Sequence, residues 1–354
     1  MEEPTAMDME NSSTLENDLF NGIETAAIPR IDDLQRVITG VCYLIASILG
    51  ISGNSLVIFS VFASKKLWST NNVFVVNLSV ADFLTSVSIL GSVVVTLSPV
   101  TVEYPIPDWL CAAASAVVST TFGCSVYTLA SIAINRLDGV TRPTKRYNVN
   151  YTFWMGLWVF IVWLIPFLAT VLPPLLDIGT LGTNSYLRTC SVKAYHPRQE
   201  LQGHIQVLTF YPIPLPVICI CYVTIFIYIR RHTKLMVKTV AGGESAQAIA
   251  LATSMRKREV TVAKNMFYVV AIFILFLSPY GIWVFLGLHF ESAILYVSTL
   301  VVFNSCVNPL LYGLKHPTFK EIFKYILLCR WKHVPEPSEG FKRLLSVTDL
   351  FVNS

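Results

Sequence analysis

Apolar stretches of about 20 residues, the length of a helical membrane crossing, recur along the chain with short polar segments between them. They place candidate spans at 37–63, 72–97, 109–135, 152–174, 205–229, 261–288 and 293–314. Each is long enough to cross a hydrocarbon core of roughly 30 Å as a helix. After the seventh span, Phe319, Ile322, Phe323, Ile326 and Leu327 fall on one helical face, the pattern of a helix lying on a surface. The pattern predicts an all-α fold, a seven-transmembrane helix bundle with a short amphipathic eighth helix. It divides the chain into an N-terminal tail (1–35), a helical domain (36–330) and a C-terminal tail (331–354).

Composition changes this picture in one respect. The chain is 54% hydrophobic and only 14% charged, against about 25% charged in ordinary globular proteins. Lipid accounts for that deficit, and a string of soluble domains does not. The net charge of +4 is too small to suggest a nucleic-acid partner, but its placement is informative. Lys65 and Lys66 follow span one, and Arg136, Arg142, Lys145 and Arg146 follow span three. Arg230, Arg231, Lys234, Lys238, Arg256, Lys257 and Arg258 lie between spans five and six, and Lys315, Lys320, Lys324 and Arg330 follow span seven. Positive loops mark the cytoplasmic side, so the N-terminus is expected outside. Its first 35 residues are acidic and polar and lack the basic and apolar regions of a cleavable signal. They read as a disordered extracellular tail. Of three glycosylation sequons, Asn11 lies in this tail, Asn77 inside a span and Asn150 on the cytoplasmic side, so Asn11 is the one expected to carry a glycan.

Several polar residues sit where lipid cannot satisfy them. Asp82 is a carboxylate inside span two, and such a charge costs on the order of 2.5–3.5 kcal/mol at the bilayer centre. It is either a helix–helix hydrogen-bonding group or part of a polar cavity with Asn54, Ser125, Asn304 and Asn308. Carboxylate, hydroxyl and amide oxygens suit a small hard cation, sodium above all. Asn308-Pro309 in span seven breaks the backbone ladder, which is tolerated where the helix faces protein or water.

These residues carry a resemblance. "GNSLV" (53–57), "NLSVAD" (77–82), "NRL" (135–137), Trp163, Pro214 with Tyr222, Pro279 and "NPLLY" (308–312) resemble, in order and spacing, the signatures of rhodopsin-like G-protein-coupled receptors across about residues 36–330. The resemblance implies a multi-pass plasma-membrane receptor, not an enzyme, that promotes nucleotide exchange on a heterotrimeric G protein. It implies a switch in which Pro309 lets span seven rearrange and Tyr312 moves toward Tyr222 and Arg136. Glu259 falls where such receptors can place an acidic partner for Arg136. Of eight cysteines, Cys111 at the outer end of span three and Cys190 in the loop after span four both face the oxidising side, where a disulfide persists. Cys329, at the end of the amphipathic stretch, is a palmitoylation candidate.

The chain also departs from that family's pattern. Asn135 replaces the usual acid before the arginine, and Leu137 the usual aromatic after it. Leu277 in "FILFLSPYG" replaces the usual tryptophan, while Phe273 is kept. Val118 stands where amine receptors carry an aspartate. Val302 stands where opsins carry the retinal lysine, and 292–314 contains none. Residues 53–82, 167–182 and 304–313 look most like the melatonin-receptor branch, which shares Asn135 and implies Gi/o coupling. However, positions expected to contact melatonin are Pro174, Gly182 and Phe210 here, and the usual Asn-Ala of span seven is Asn308-Pro309. The expected pocket comprises Val118, Ser119, Phe122, Gln206, Phe210, Tyr280, Val284, Ser298 and Val302. It is mostly apolar with a few neutral hydrogen-bonding groups, which suits a small neutral or lipid-like ligand. The expected partners are that ligand, the G protein and membrane lipid. No cofactor is expected beyond sodium as an allosteric ligand. Two other readings remain: a scaffold or decoy that binds without signalling, and a transporter. A transporter or pump would want a chain of acids across the spans, and only Asp82 is present.

Overall fold

A computed structural model of the chain describes residues 32–99, 104–141, 149–193, 196–240, 271–272, 274–286 and 291–352, with positions 250, 253, 254 and 257. The helices are α1 (Asp33–Ala63), α2 (Thr70–Leu97), α3 (Asp108–Thr141), α4 (Val149–Leu175), α5 (Gln199–Phe210) and α6 (Pro214–Val240). They continue with α7 (Ile274–Phe285), α8 (Glu291–Lys315), α9 (Pro317–Leu327) and α10 (Glu339–Val352). Among the described residues, six helical segments are long and apolar enough to cross a membrane, and α7 is the described part of the sixth expected span. Asn11, Glu259 and Phe273 lie outside the described residues.

Away from its internal prolines, helical hydrogen bonding satisfies the backbone within each span, the condition for crossing lipid. Buried serine and threonine hydroxyls do the same locally. Thr85 donates to Ala81 O at 3.0 Å, Thr128 to Cys124 O at 2.7 Å and Ser131 to Tyr127 O at 2.8 Å. Small side chains satisfied in this way let helices approach closely. At Gly123 of α3 a Cβ would lie 2.7 Å from both Phe210 and Pro166, so only glycine lets α3 meet α4 and α5 there. The outer faces carry exposed leucine, isoleucine and phenylalanine, as expected of a lipid-facing surface.

The elements differ from the sequence reading in four places. Helix α1 begins at Asp33, within the segment assigned to the tail. Arg36 anchors that first turn, donating to Thr96 O and Ser98 O at 2.7 Å and to Asp33 Oδ1 at 3.2 Å. The fifth span starts at Gln199 rather than 205 and is split into α5 and α6. Pro212 and Pro214 supply no N–H at that break. Helix α3 runs on to Thr141, which keeps Arg136 on regular helix. The loop after α4 holds a hairpin that the periodicity does not announce, β1 (Leu181–Asn184) paired antiparallel with β2 (Thr189–Val192). Its turn is held by Leu187 N–H donating to Asn184 Oδ1 at 2.8 Å.

Candidate functional site

The Asn-Pro break in α8 has a partner on α1. Pro309 has no N–H to give the carbonyl four residues earlier, which belongs to Ser305. Asn54 donates to that carbonyl instead, at 2.9 Å, and to Gly50 O at 2.9 Å. Next to it, a Cβ at Gly53 would lie 2.9 Å from Pro309 Cβ, so the glycine makes room for the ring. "GN" of α1 and "NP" of α8 are therefore two halves of one joint.

Asn308 faces the other way. Its Nδ2 donates to Asp82 Oδ2 at 2.7 Å, and Ser125 Oγ donates to Asp82 Oδ1 at 3.0 Å. All three are buried. Two of the expected partners are absent from this carboxylate: Asn54 serves the proline joint, and Asn304 lines the cavity described next. A further polar joint links Trp163 Nε1 to Asn77 Oδ1 at 2.9 Å and Asn77 Nδ2 to Thr128 Oγ1 at 2.8 Å, tying α2, α3 and α4. The sequon at Asn77 is thus committed to the interior.

Above Asp82 lies a cavity of about 110 Å³. Seven of the nine expected residues line it: Val118, Ser119, Phe122, Gln206, Phe210, Tyr280 and Val302. Ser298 does not, because its hydroxyl sits 3.1 Å from that of Tyr43 on α1. Val284 packs beside Gly203 on α5, outside the lining. Sequence reasoning missed Thr85, Ile89, Gly203, Val207, Tyr211, Val301 and Ser305, and placed Ser125 and Asn304 only in the Asp82 set. Tyr211 had a signal, an aromatic residue directly before Pro212 in a broken span. It packs on Phe122 at 6.4 Å, lies against Gly281, and donates to Leu277 O at 3.3 Å. Among the described residues, no lining side chain is charged.

The hairpin lies at one end of the bundle, attached to the helices. Cys111 on α3 and Cys190 on β2 form a disulfide with Cα atoms 4.9 Å apart. Around it, Lys193 pairs with Asp108 at 2.6 Å, Thr183 N–H donates to Asp108 Oδ1 at 2.9 Å, and Cys190 N–H to Ser92 Oγ at 3.1 Å. At the opposite end, Arg136 is only 5% exposed, and Tyr222 and Tyr312 are buried in one apolar cluster with Leu129, Ile218 and Leu277. Tyr312 stacks on Phe319 of α9 with ring centroids 5.7 Å apart. Leu277, in place of the aromatic residue, is fully buried in that same cluster. Cys329 is exposed just after α9.

The family model described as "7 transmembrane receptor (rhodopsin family)" matches residues 53–312. The chain belongs to the rhodopsin family of seven-transmembrane receptors. The receptor is 28% identical over 304 residues to the GQ-coupled rhodopsin of Mizuhopecten yessoensis, covering 83% of this chain and 60% of that one. It is 26% identical over 309 residues to somatostatin receptor type 1 of Rattus norvegicus, covering 84% of this chain and 73% of that one. The crystal structure of squid rhodopsin superimposes with a TM-score of 0.74 at 22% identity, over 85% of the receptor and 89% of the rhodopsin, which establishes the shared fold. Val302 lines the cavity, and α8 has no lysine before Lys315. These relatives are an opsin and a somatostatin receptor, where the sequence looked most like the melatonin-receptor branch.

Proposed function

We propose that the receptor binds a small neutral or lipid-like ligand and, by its resemblance to the melatonin-receptor branch, activates a heterotrimeric G protein of the Gi/o class. The observation that carries the reading is the cavity itself: apolar and aromatic walls, neutral Ser119, Gln206 and Tyr280, and no charged lining group among the described residues. A protonated amine would have no counter-ion beside Val118, and retinal no lysine at Val302. Small-molecule pockets usually run to about 300–1,000 Å³. A cavity of about 110 Å³ therefore favours a compact ligand or one that opens the site. The test is a G-protein activation assay in cells across a library of small neutral indoles, amides and lipids. Activation by a neutral compound, lost in Gln206→Ala or Phe122→Ala, is the expected result. Binding without activation of any G-protein class would favour the decoy reading.

In this reading the disulfide end faces outward and the basic end faces the cytoplasm at the plasma membrane. Glycosidase mapping checks it. Asn11→Gln should remove the glycan shift and Asn150→Gln should not; a glycan on Asn150 would reverse the topology. Glu259 is the proposed acidic partner of Arg136.

Asp82, Ser125, Asn304 and Asn308 are the proposed sodium site, Ser125 and Asn308 bonding the carboxylate and Asn304 lying one helical turn before Asn308. A ligand stabilises whichever state binds it better, so replacing choline by sodium should lower basal activity. In Asp82→Asn that dependence should vanish. A sodium response unchanged in the variant would remove the site from the proposal.

A further inference from the structure

The chain after α9 turns back on the bundle. Cys329 and Glu336 take left-handed backbone, with φ of 54° and 46°, on either side of a 3-10 turn at Trp331–His333. The returning segment closes the end of α1. A helix leaves its last four carbonyls without partners of its own. Ser338 serves two of them: its N–H donates to Ala63 O at 2.9 Å and its hydroxyl to Phe62 O at 2.6 Å. In return, Lys65 N–H donates to Glu336 O at 2.8 Å and Ser64 Oγ to Pro335 O at 2.5 Å. The Ser338 hydroxyl also accepts from Phe341 N–H at 3.1 Å, which makes it the N-cap of α10.

Packing and charge hold the same junction. Phe341 is fully buried, with its ring edge-on to Phe59 at 5.8 Å. Lys65 Nζ pairs with Glu339 at 2.9 Å. Hydrogen bonds from Lys65 and then Lys342 hold the Glu339 carboxyl below its ordinary value. The pair is thus intact at neutral pH and is lost only as pH falls through that lowered value.

This clamp sets α10 against the lipid-facing side of α1. Gly340 packs on Phe62, whose ring is 46% exposed and is the last of the exposed apolar side chains of α1. Just past the clamp, Leu344 remains 41% exposed beside exposed Lys342 and Arg343. Leu327 and Leu328, at the end of α9, are exposed as well. Between positions 324 and 346 the sequence has five lysines and arginines against two glutamates. An apolar strip flanked by basic residues, continuous with a lipid-facing surface, matches an anionic leaflet in both chemistry and position.

We propose that α10 is a second membrane-surface helix of this receptor, clamped to α1 by Ser338 and Phe341 and resting Leu344, Lys342 and Arg343 on anionic lipid. The spans already hold it at the bilayer, so a contact too weak to recruit a free peptide suffices here. The inference uses the orientation proposed above, which the glycan mapping tests separately, and is independent of the ligand.

The experiment places a polarity-sensitive fluorophore on full-length Leu344→Cys receptor in a Cys329→Ser background, with the parent lacking the new thiol as the blank. The receptor is reconstituted in nanodiscs of phosphatidylcholine, with or without phosphatidylserine. Headgroup-level nitroxide lipid should quench the label at least about twofold more than aqueous acrylamide does in phosphatidylserine discs. Lys342→Glu with Arg343→Glu should reverse that ratio, and so should Ser338→Ala with Phe341→Ala. A label open to acrylamide and untouched by nitroxide in both disc types would overturn the proposal. Shielding that arises only when a G protein is added would overturn it too, by assigning the face to a protein partner.

Discussion

Cys111→Ser or Cys190→Ser is expected to abolish surface expression of most of the receptor. The bridge spans 79 residues of sequence, and removing a native disulfide of this kind costs about 2–5 kcal/mol. The cost is concentrated at the hairpin. Four-residue strands such as β1 and β2 are marginal alone, and this pair is held to α3 and α2 by Cys190, by Asp108 with Lys193 and Thr183, and by Ser92. Without the covalent tie one half-exposed ion pair and a few hydrogen bonds must hold the hairpin, and such an ion pair is worth only about 0–1 kcal/mol. Surface labelling and thermal stability of detergent-solubilised receptor check the expectation. Wild-type stability in either variant would show that the hairpin is held chiefly by its non-covalent contacts.

Arg136→Ala should leave the receptor folded and at the surface while reducing stimulated nucleotide exchange by about 5- to 150-fold, the range of a typical coupling energy of about 1–3 kcal/mol. Arg136 is nearly buried beside the cluster of Tyr222, Tyr312 and Leu277, so it stands at the junction of α3, α6, α7 and α8. Asn135, the residue before it, is an amide and brings no carboxylate of its own. Arg136→Lys should recover only part of the loss, because an ammonium keeps the charge but not the planar fork. Nucleotide exchange at matched surface levels is the measurement. Normal coupling in Arg136→Ala would place the switch elsewhere. Glu259→Ala adds a second arm: a rise in basal exchange supports the proposed pairing, and unchanged basal exchange removes it.

The spans were legible because lipid imposes a simple rule on sequence. Twenty or so apolar residues must follow one another wherever a helix crosses, and nothing distant in the chain can relax that demand. The surface helix α9 was legible for the same kind of reason, since its face repeats within eleven residues. The broken fifth span was less so: Pro212 and Pro214 marked a weakness, but apolar content alone did not separate α5 from α6. Seven of the nine expected pocket residues line the cavity, because the family resemblance had already assigned them positions on the spans. Val284 and Ser298 do not, since the rotation of a helix about its axis depends on what it packs against, and Tyr43 claims Ser298.

By itself, then, the sequence determined a seven-span receptor, the ends at which its charges and cysteines gather, and the absence of an amine counter-ion or a retinal lysine. What each buried polar group does was decided only by the tertiary structure. Asn54 finds the Ser305 carbonyl 251 residues away, and Asn308 finds Asp82 226 residues away. Ser338 closes α1 from 276 residues downstream. Lipid excludes water as a partner, so these groups took partners from distant parts of the chain. Hydrophobic period records that need without recording the partner, because a hydrogen bond selects by distance and direction in space, and these residues become neighbours only once the bundle has closed.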